Sequence, residues 1–115
     1  MTDKENRKDK AEKVTGMLGL AARARRLVVG TELVIDAMRR GKTKYLVVVS
    51  ESASENTLKR LRNCCEYTGA DMLSVPVDTA TLGHSIGKKN SSVAAVAITD
   101  SNMANAVRNI LKEGA

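Results

Sequence analysis

The chain has 115 residues, the length of one domain with one modest core. Hydrophobic residues make up 43% and charged residues 28%, an ordinary globular balance, and no apolar run approaches the ~20 residues that cross a bilayer as a helix. A net charge of +6 favours a polyanionic partner, while the lack of Phe and Trp, with only Tyr45 and Tyr67, argues against modules that stack unpaired bases on aromatic platforms.

The first residues, Met1-Thr2-Asp3-Lys4-Glu5-Asn6, are polar and mixed in charge. They hold no apolar stretch resembling a secretory signal, so the expected location is the cytoplasm. Residues 1–12 are expected to be flexible or to extend the first helix. The pattern over 10–26 predicts that helix, with Val14, Met17, Leu18 and Ala21 on one face. Gly16 and Gly19 would allow close approach to a neighbour. Leu27-Val28-Val29-Gly30 reads as a short strand ending in glycine. A second helix is expected over 31–40, with Leu33, Val34, Ala37 and Met38 buried and Glu32, Asp36, Arg39 and Arg40 opposite. Gly41 would end it.

Tyr45-Leu46-Val47-Val48-Val49-Ser50 predicts a strand buried on both faces. Ser52-Ala53-Ser54-Glu55 fits a capping box opening a third helix. Its buried side would carry Leu58, Leu61 and Cys65, with Lys59, Arg60 and Arg62 outside. Residues 72–76 predict a third strand, and Pro76 places it at an end or a sheet edge. Asp78 can cap a short helix over 80–86, followed by a basic polar loop over 87–92. Residues 93–98 predict a fourth buried strand, and Met103, Val107, Ile110 and Leu111 a closing amphipathic helix. Alternating strands and helices predict an α/β domain with helices on both faces of a small sheet.

Most candidate chemistry fails on spacing. His84, the only histidine, has Ser85 beside it in sequence, but adjacent helix positions do not face each other. Gly83-His84-Ser85-Ile86-Gly87-Lys88-Lys89 lacks both the first glycine and the final Ser or Thr of a phosphate loop. The neighbours Cys64 and Cys65 cannot easily bridge each other and read as reduced thiols partly packed in the core. Glu32 and Asp36 could share a cation, but Asp36 to Arg40 is a favourable ion-pair spacing. No enzyme, metal or cofactor is expected.

The cations are more informative. Arg39, Arg40, Lys42 and Lys44 lie close together, Lys88 and Lys89 fall in a predicted loop, and Arg23, Arg25 and Arg26 precede the first strand. Gly30 before a helix leaves backbone N–H groups and the positive helix end open to an acceptor.

In order along the chain, these pieces resemble the kink-turn-binding ribosomal protein family, the L-seven-Ae and L-thirty-e group. Gly30 through Gly41 is similar to its glycine-opened helix closing on Arg-Gly. Residues 42–54 resemble its second strand and the turn after it, Leu82-Gly83-His84-Ser85-Ile86-Gly87 its L-G-x-A-x-G signature, and residues 93–98 its alanine-valine strand. Gly16-Met17-Leu18-Gly19-Leu20-Ala21-Ala22-Arg23-Ala24 looks most like the bacterial YlxQ-type branch. The likeness covers about residues 13–111. It implies a three-layer α/β/α sandwich with a four-stranded mixed sheet, and a single RNA-binding domain over 13–115.

The resemblance also implies a site. The amino end of helix 31–40 would enter the groove of a bent RNA at tandem G·A pairs, through Gly30, Thr31, Glu32, Leu33 and Asp36. Lys88, Lys89, Asn90 and Ser91 would cover the extruded nucleotide. Arg39, Arg40, Lys42 and Lys44, at the helix's far end, would meet flanking phosphates. This chain departs from the family where Asn-Glu and a later Lys are common: it has Glu32, Leu33 and Asp36. Glu32 can still accept from guanine N–H groups, Leu33 cannot, and Asp36 repels phosphate unless Arg40 neutralises it. The expected partner is ribosomal RNA or another kink-turn RNA, with the ribosome as a further candidate, no membrane, and a monomer. The competing readings are a protein-interaction adaptor on the same fold and a helper that delivers an enzyme to RNA.

Overall fold

A computed structural model describes residues 3–41 and 46–112. Its elements follow in order: α1 (Asp3–Arg23), β1 (Leu27–Val29), α2 (Thr31–Arg39), β2 (Leu46–Ser50), α3 (Glu55–Thr68), β3 (Asp71–Val75), α4 (Thr79–Ser85), β4 (Ala95–Ile98) and α5 (Ser101–Lys112). The sheet order is β1-β4-β2-β3. β2 and β3 are parallel, and β4 runs antiparallel to both β1 and β2. This is the mixed four-stranded sheet expected.

The layers follow from the period of two. In β2, Leu46 and Val48 point into one apolar cluster, with Val14 and Leu18 of α1, Leu82 of α4 and Val107 of α5. Val47 and Val49 point into the other, with Val34, Ile35 and Met38 of α2 and Leu61 and Cys65 of α3. Every residue of β2 and β4 is buried, which explains the unbroken apolar runs. Each fully buried Val or Leu contributes about 1.5–3 kcal/mol, so the two central strands anchor both helical layers. The edge strand β3 is followed by Pro76, which has no ladder N–H to donate.

Several boundaries and faces differ from the expectation. α1 stops at Arg23, because Arg25 turns to φ +60° while the N–H groups of Arg25 and Arg26 donate to Ala22 O and Ala21 O. The buried stripe of α2 is Val34, Ile35, Ala37 and Met38, and Leu33 is 61% exposed. Helical period alone allows either flank of the Val34–Met38 line to be apolar. α3 packs beside α2 and covers the Ile35 flank, leaving Leu33 outside with Asp36 and Arg40. Ser54, not Ser52, caps α3: its Oγ accepts from the Thr57 N–H. Ser52 instead donates its N–H to Ser50 Oγ. Asp78 caps α4 as expected, accepting from the Thr81 N–H. Val93 lies outside β4, because its N–H donates to Thr79 O. Tyr45, expected to open β2, lies outside the described residues.

Cys65 is buried, with its Sγ 3.7 Å from Met38 Sδ. Burial pushes its thiol up to about 11, and Cys64 and Asp71 add to the shift. It therefore stays protonated and unreactive near neutral pH.

Two glycines explain close contacts. A Cβ on Gly19 would lie 2.9 Å from Ser85 O, so the glycine lets α1 approach α4. A Cβ on Gly83 would lie 2.1 Å from Ser91 O. Loop 87–92 thus folds down onto α4 only because residue 83 has no side chain. Gly16, expected to serve the same purpose, faces open space. Gly83→Ala should cost about 1–3 kcal/mol in urea unfolding, as overpacking against backbone does. Gly16→Ala should stabilise by about 0.5–1 kcal/mol through helix propensity. Equal effects at the two positions would contradict this packing.

Candidate nucleic-acid interface

Gly30 joins β1 directly to α2 at φ +99°, ψ 144°, a conformation open essentially to glycine alone. Its N–H donates to Ala95 O and its carbonyl accepts from the Val34 N–H. Glycine has no side chain with which to cap α2. The N–H groups of Thr31, Glu32 and Leu33 therefore lack intrahelical partners and point out of the helix end, where the dipole is positive.

The C-terminal ends of β1 and β2 and the start of β4 lie at this one end of the sheet. The Ser50 N–H donates to Ala94 O, one residue from the Gly30 contact. Ser50 is the one buried polar side chain among the described residues. Its Oγ donates to Val77 O at 2.7 Å and accepts from the Ser52 N–H, locking the β2–α3 turn against the segment before α4. Loop 87–92 runs straight into Val93 and Ala94 and so opens onto the same end. Asn90 takes φ +63°, the Lys88 N–H donates to Gly83 O, and the Ser91 N–H donates to Lys88 O. The loop holds its shape through its own backbone, and the side chains of Lys88, Lys89, Asn90 and Ser91 are exposed.

Of the expected site residues, the structure gathers Gly30, Thr31, Glu32 and Leu33 at this end, and loop 87–92 leads into it. Leu33 stands exposed beside the open N–H groups. Asp36 sits one turn further along α2, with Arg40 Nε 3.1 Å from its carboxylate. Its charge is neutralised as the spacing suggested. Arg39 and Arg40 lie about 13 Å down a nine-residue helix, away from the open end. Lys42 and Lys44 lie outside the described residues.

The residue that sequence reasoning missed is Arg60. It was expected only on the outer face of α3. Instead its Nη2 donates to both oxygens of Glu32 at 2.7 Å. That hydrogen bond, with the Arg60 charge and a smaller contribution from Arg39, holds the Glu32 carboxyl below the usual carboxylate range. The pair spans 28 positions in sequence, so no local spacing could reveal it. Glu32 is thereby fixed as an ionised acceptor beside the helix end.

Residues 12–108 match the sequence profile of the ribosomal protein L7Ae/L30e/S12e/Gadd45 family. The chain belongs to this family. It is 42% identical over 95 residues to the RNA-binding protein YlxQ of Bacillus subtilis (strain 168), covering 83% of this chain and 91% of that protein. The Enterococcus faecium protein of the same name is 41% identical over 56 residues, 49% of this chain and 53% of that one. The expected YlxQ-type branch is borne out. Among solved structures, a protein of unknown function from Bacillus halodurans C superposes with a TM-score of 0.79 at 31% identity, covering 88% of this chain and 98% of that one. The Giardia lamblia 15.5kD RNA binding protein superposes with a TM-score of 0.74 at 17% identity, covering 91% and 87%. That second likeness establishes the shared α/β sandwich.

The brace between α2 and α3 has a pH signature. A carboxyl whose folded pKa is depressed stabilises above its unfolded pKa, and that contribution disappears as pH falls through the folded value. Arg60→Met should raise the Glu32 titration midpoint toward the ordinary carboxylate range, because the hydrogen bond and charge that hold it down are removed. Carboxyl NMR titration reads this shift. An unchanged midpoint would show that Arg60 does not hold Glu32.

Proposed function

We propose that this chain binds structured RNA of the kink-turn type, with the amino end of α2 in the groove at the G·A pairs and loop 87–92 over the extruded nucleotide. The observation that carries this reading is the uncapped α2 start at Gly30, held beside the start of β4 by the Gly30–Ala95 hydrogen bond. Backbone N–H groups and the helix dipole suit phosphate, and Glu32 is an ionised acceptor suited to guanine N–H groups. Family membership and the RNA-binding relatives support it. Asp36, paired with Arg40, no longer repels the RNA as a bare charge would. Leu33 replaces a polar base contact by an apolar one, against a ribose or a base face.

The role is non-catalytic. The partner is ribosomal RNA or another kink-turn RNA, met in the cytoplasm by a monomer whose binding unit spans 13–115, with residues 1–12 as an extension. Lys42 and Lys44, with Arg39 and Arg40, would serve flanking phosphates. Among the described residues no helix is long and apolar enough to cross a membrane. A second reading, a protein-interaction adaptor, draws on the exposed Leu33. A lone exposed leucine falls well short of the few hundred Å² patch that marks such sites.

Titration against a short kink-turn RNA, and against one with both G·A pairs replaced, tests this at ~0.15 M salt. Preference for the intact RNA should reach about 100-fold, or about 2.7 kcal/mol. Affinity should fall steeply with salt as phosphate contacts release counterions. Equal, weak binding to both RNAs would sink the reading and favour the adaptor.

A further inference from the structure

α2 and α3 pack side by side, and an open groove of about 610 Å³ runs between them on the solvent side. Ile35 and Arg39 line it from α2, and Arg60, Asn63, Cys64 and Tyr67 line it from α3. Its upper end begins at the Glu32–Arg60 pair, next to the open helix end. From there it descends along successive turns of α3 to Tyr67.

Three groups on its walls, Arg39, Asn63 and Tyr67, are exposed to solvent. Tyr67 is 90% exposed, so its ring buries almost nothing in the fold. Arg39 has no ion-pair partner among the described residues. Asn63 offers an amide donor and acceptor on the groove wall. An aromatic face, a guanidinium and an amide, on a floor of Ile35 and Cys64, form a set that suits one nucleotide. Bases stack on aromatic rings without sequence preference, and cations track the backbone beside them. An adjoining hollow shares Asn63 and adds Lys59 and Arg62, so the cationic track continues along α3. The acidic side chains nearby are Glu55, Glu66, Asp36 and Glu32, and the last two are already paired with Arg40 and Arg60.

We propose that the α2–α3 groove holds a single-stranded RNA segment leaving the structured RNA bound at the α2 end, with a base stacked on Tyr67 and its phosphate on Arg39. One ring takes one base, so this differs from a platform that reads a run of bases. The inference rests on the RNA-binding reading above and extends it to flanking sequence.

The full-length chain is titrated against the kink-turn stem as a blunt duplex and with a short single-stranded extension on either strand. One of the two extensions should tighten binding about tenfold, the scale of one base stacked on an aromatic side chain. Tyr67→Ala should remove that increment and leave the blunt stem unaffected, while Tyr67→Phe should retain it. An increment that survives Tyr67→Ala is general electrostatics and overturns the proposal. So does the absence of any increment when the blunt stem is bound normally, which leaves the kink-turn reading intact. Failure to discriminate the G·A pairs would defeat that reading alone. The groove is then judged on the isolated single strand, where Tyr67→Ala must weaken binding about tenfold or the proposal falls. Polyglutamate displacing the strand from the groove would mark an acidic-peptide site and overturn it too.

Discussion

Two adjacent carbonyls at the start of β4 hold one end of this molecule together. Ala95 O accepts from Gly30 and Ala94 O accepts from Ser50. The first contact sets where α2 begins. The second fixes the turn after β2. The segment that supplies both carbonyls follows directly on loop 87–92. Three stretches far apart in sequence thus share one short piece of backbone. β4 begins at Ala95 and is buried and paired on both sides, so the Ala95 carbonyl is anchored in the sheet. The open end of α2 is presented by the core rather than by a mobile loop.

Glycine makes that presentation possible in two ways. Gly30 adopts a backbone conformation that places a helix directly after a strand, and it supplies no side chain to cap the helix. A Ser or Asp at the same place would satisfy one of the open N–H groups itself. Gly83 allows the loop to lie on α4 at a distance no Cβ would tolerate. In both cases a missing side chain is what the proposed site requires. Electrostatics then completes it. The two carboxylates on the outer face of α2 are each held by an arginine, Glu32 by Arg60 and Asp36 by Arg40. An acidic helix face is thereby made compatible with a polyanion.

Much of this was legible in the sequence because it is local or periodic. The valine run of β2 could only be a strand with two buried faces. Asp78 sat at the right distance to cap α4, and Pro76 marked the edge strand. The Asp36–Arg40 pair followed from a spacing of four. What was not legible depends on neighbours far away in sequence. Whether Leu33 or Ile35 is buried depends on which flank of α2 is covered by α3. The choice of Ser54 over Ser52 as cap depends on Ser50, whose buried hydroxyl takes the Ser52 N–H. Arg60 looked like one more solvent-facing cation until α3 was laid beside α2. The geometry of the candidate site was readable where glycines marked it, and unreadable where it is braced across helices.

The central claim is that the open helix end and loop 87–92 meet RNA together. Backbone amide NMR of the chain, with and without the kink-turn RNA, tests it most directly. The account expects the largest shifts at Thr31, Glu32 and Leu33, with a second group from Lys88 to Val93, in one concerted titration. Shifts confined to the cations at the far end, Arg23, Arg25, Arg26, Arg39 and Arg40, would contradict it. They would show that RNA is held by surface charge alone.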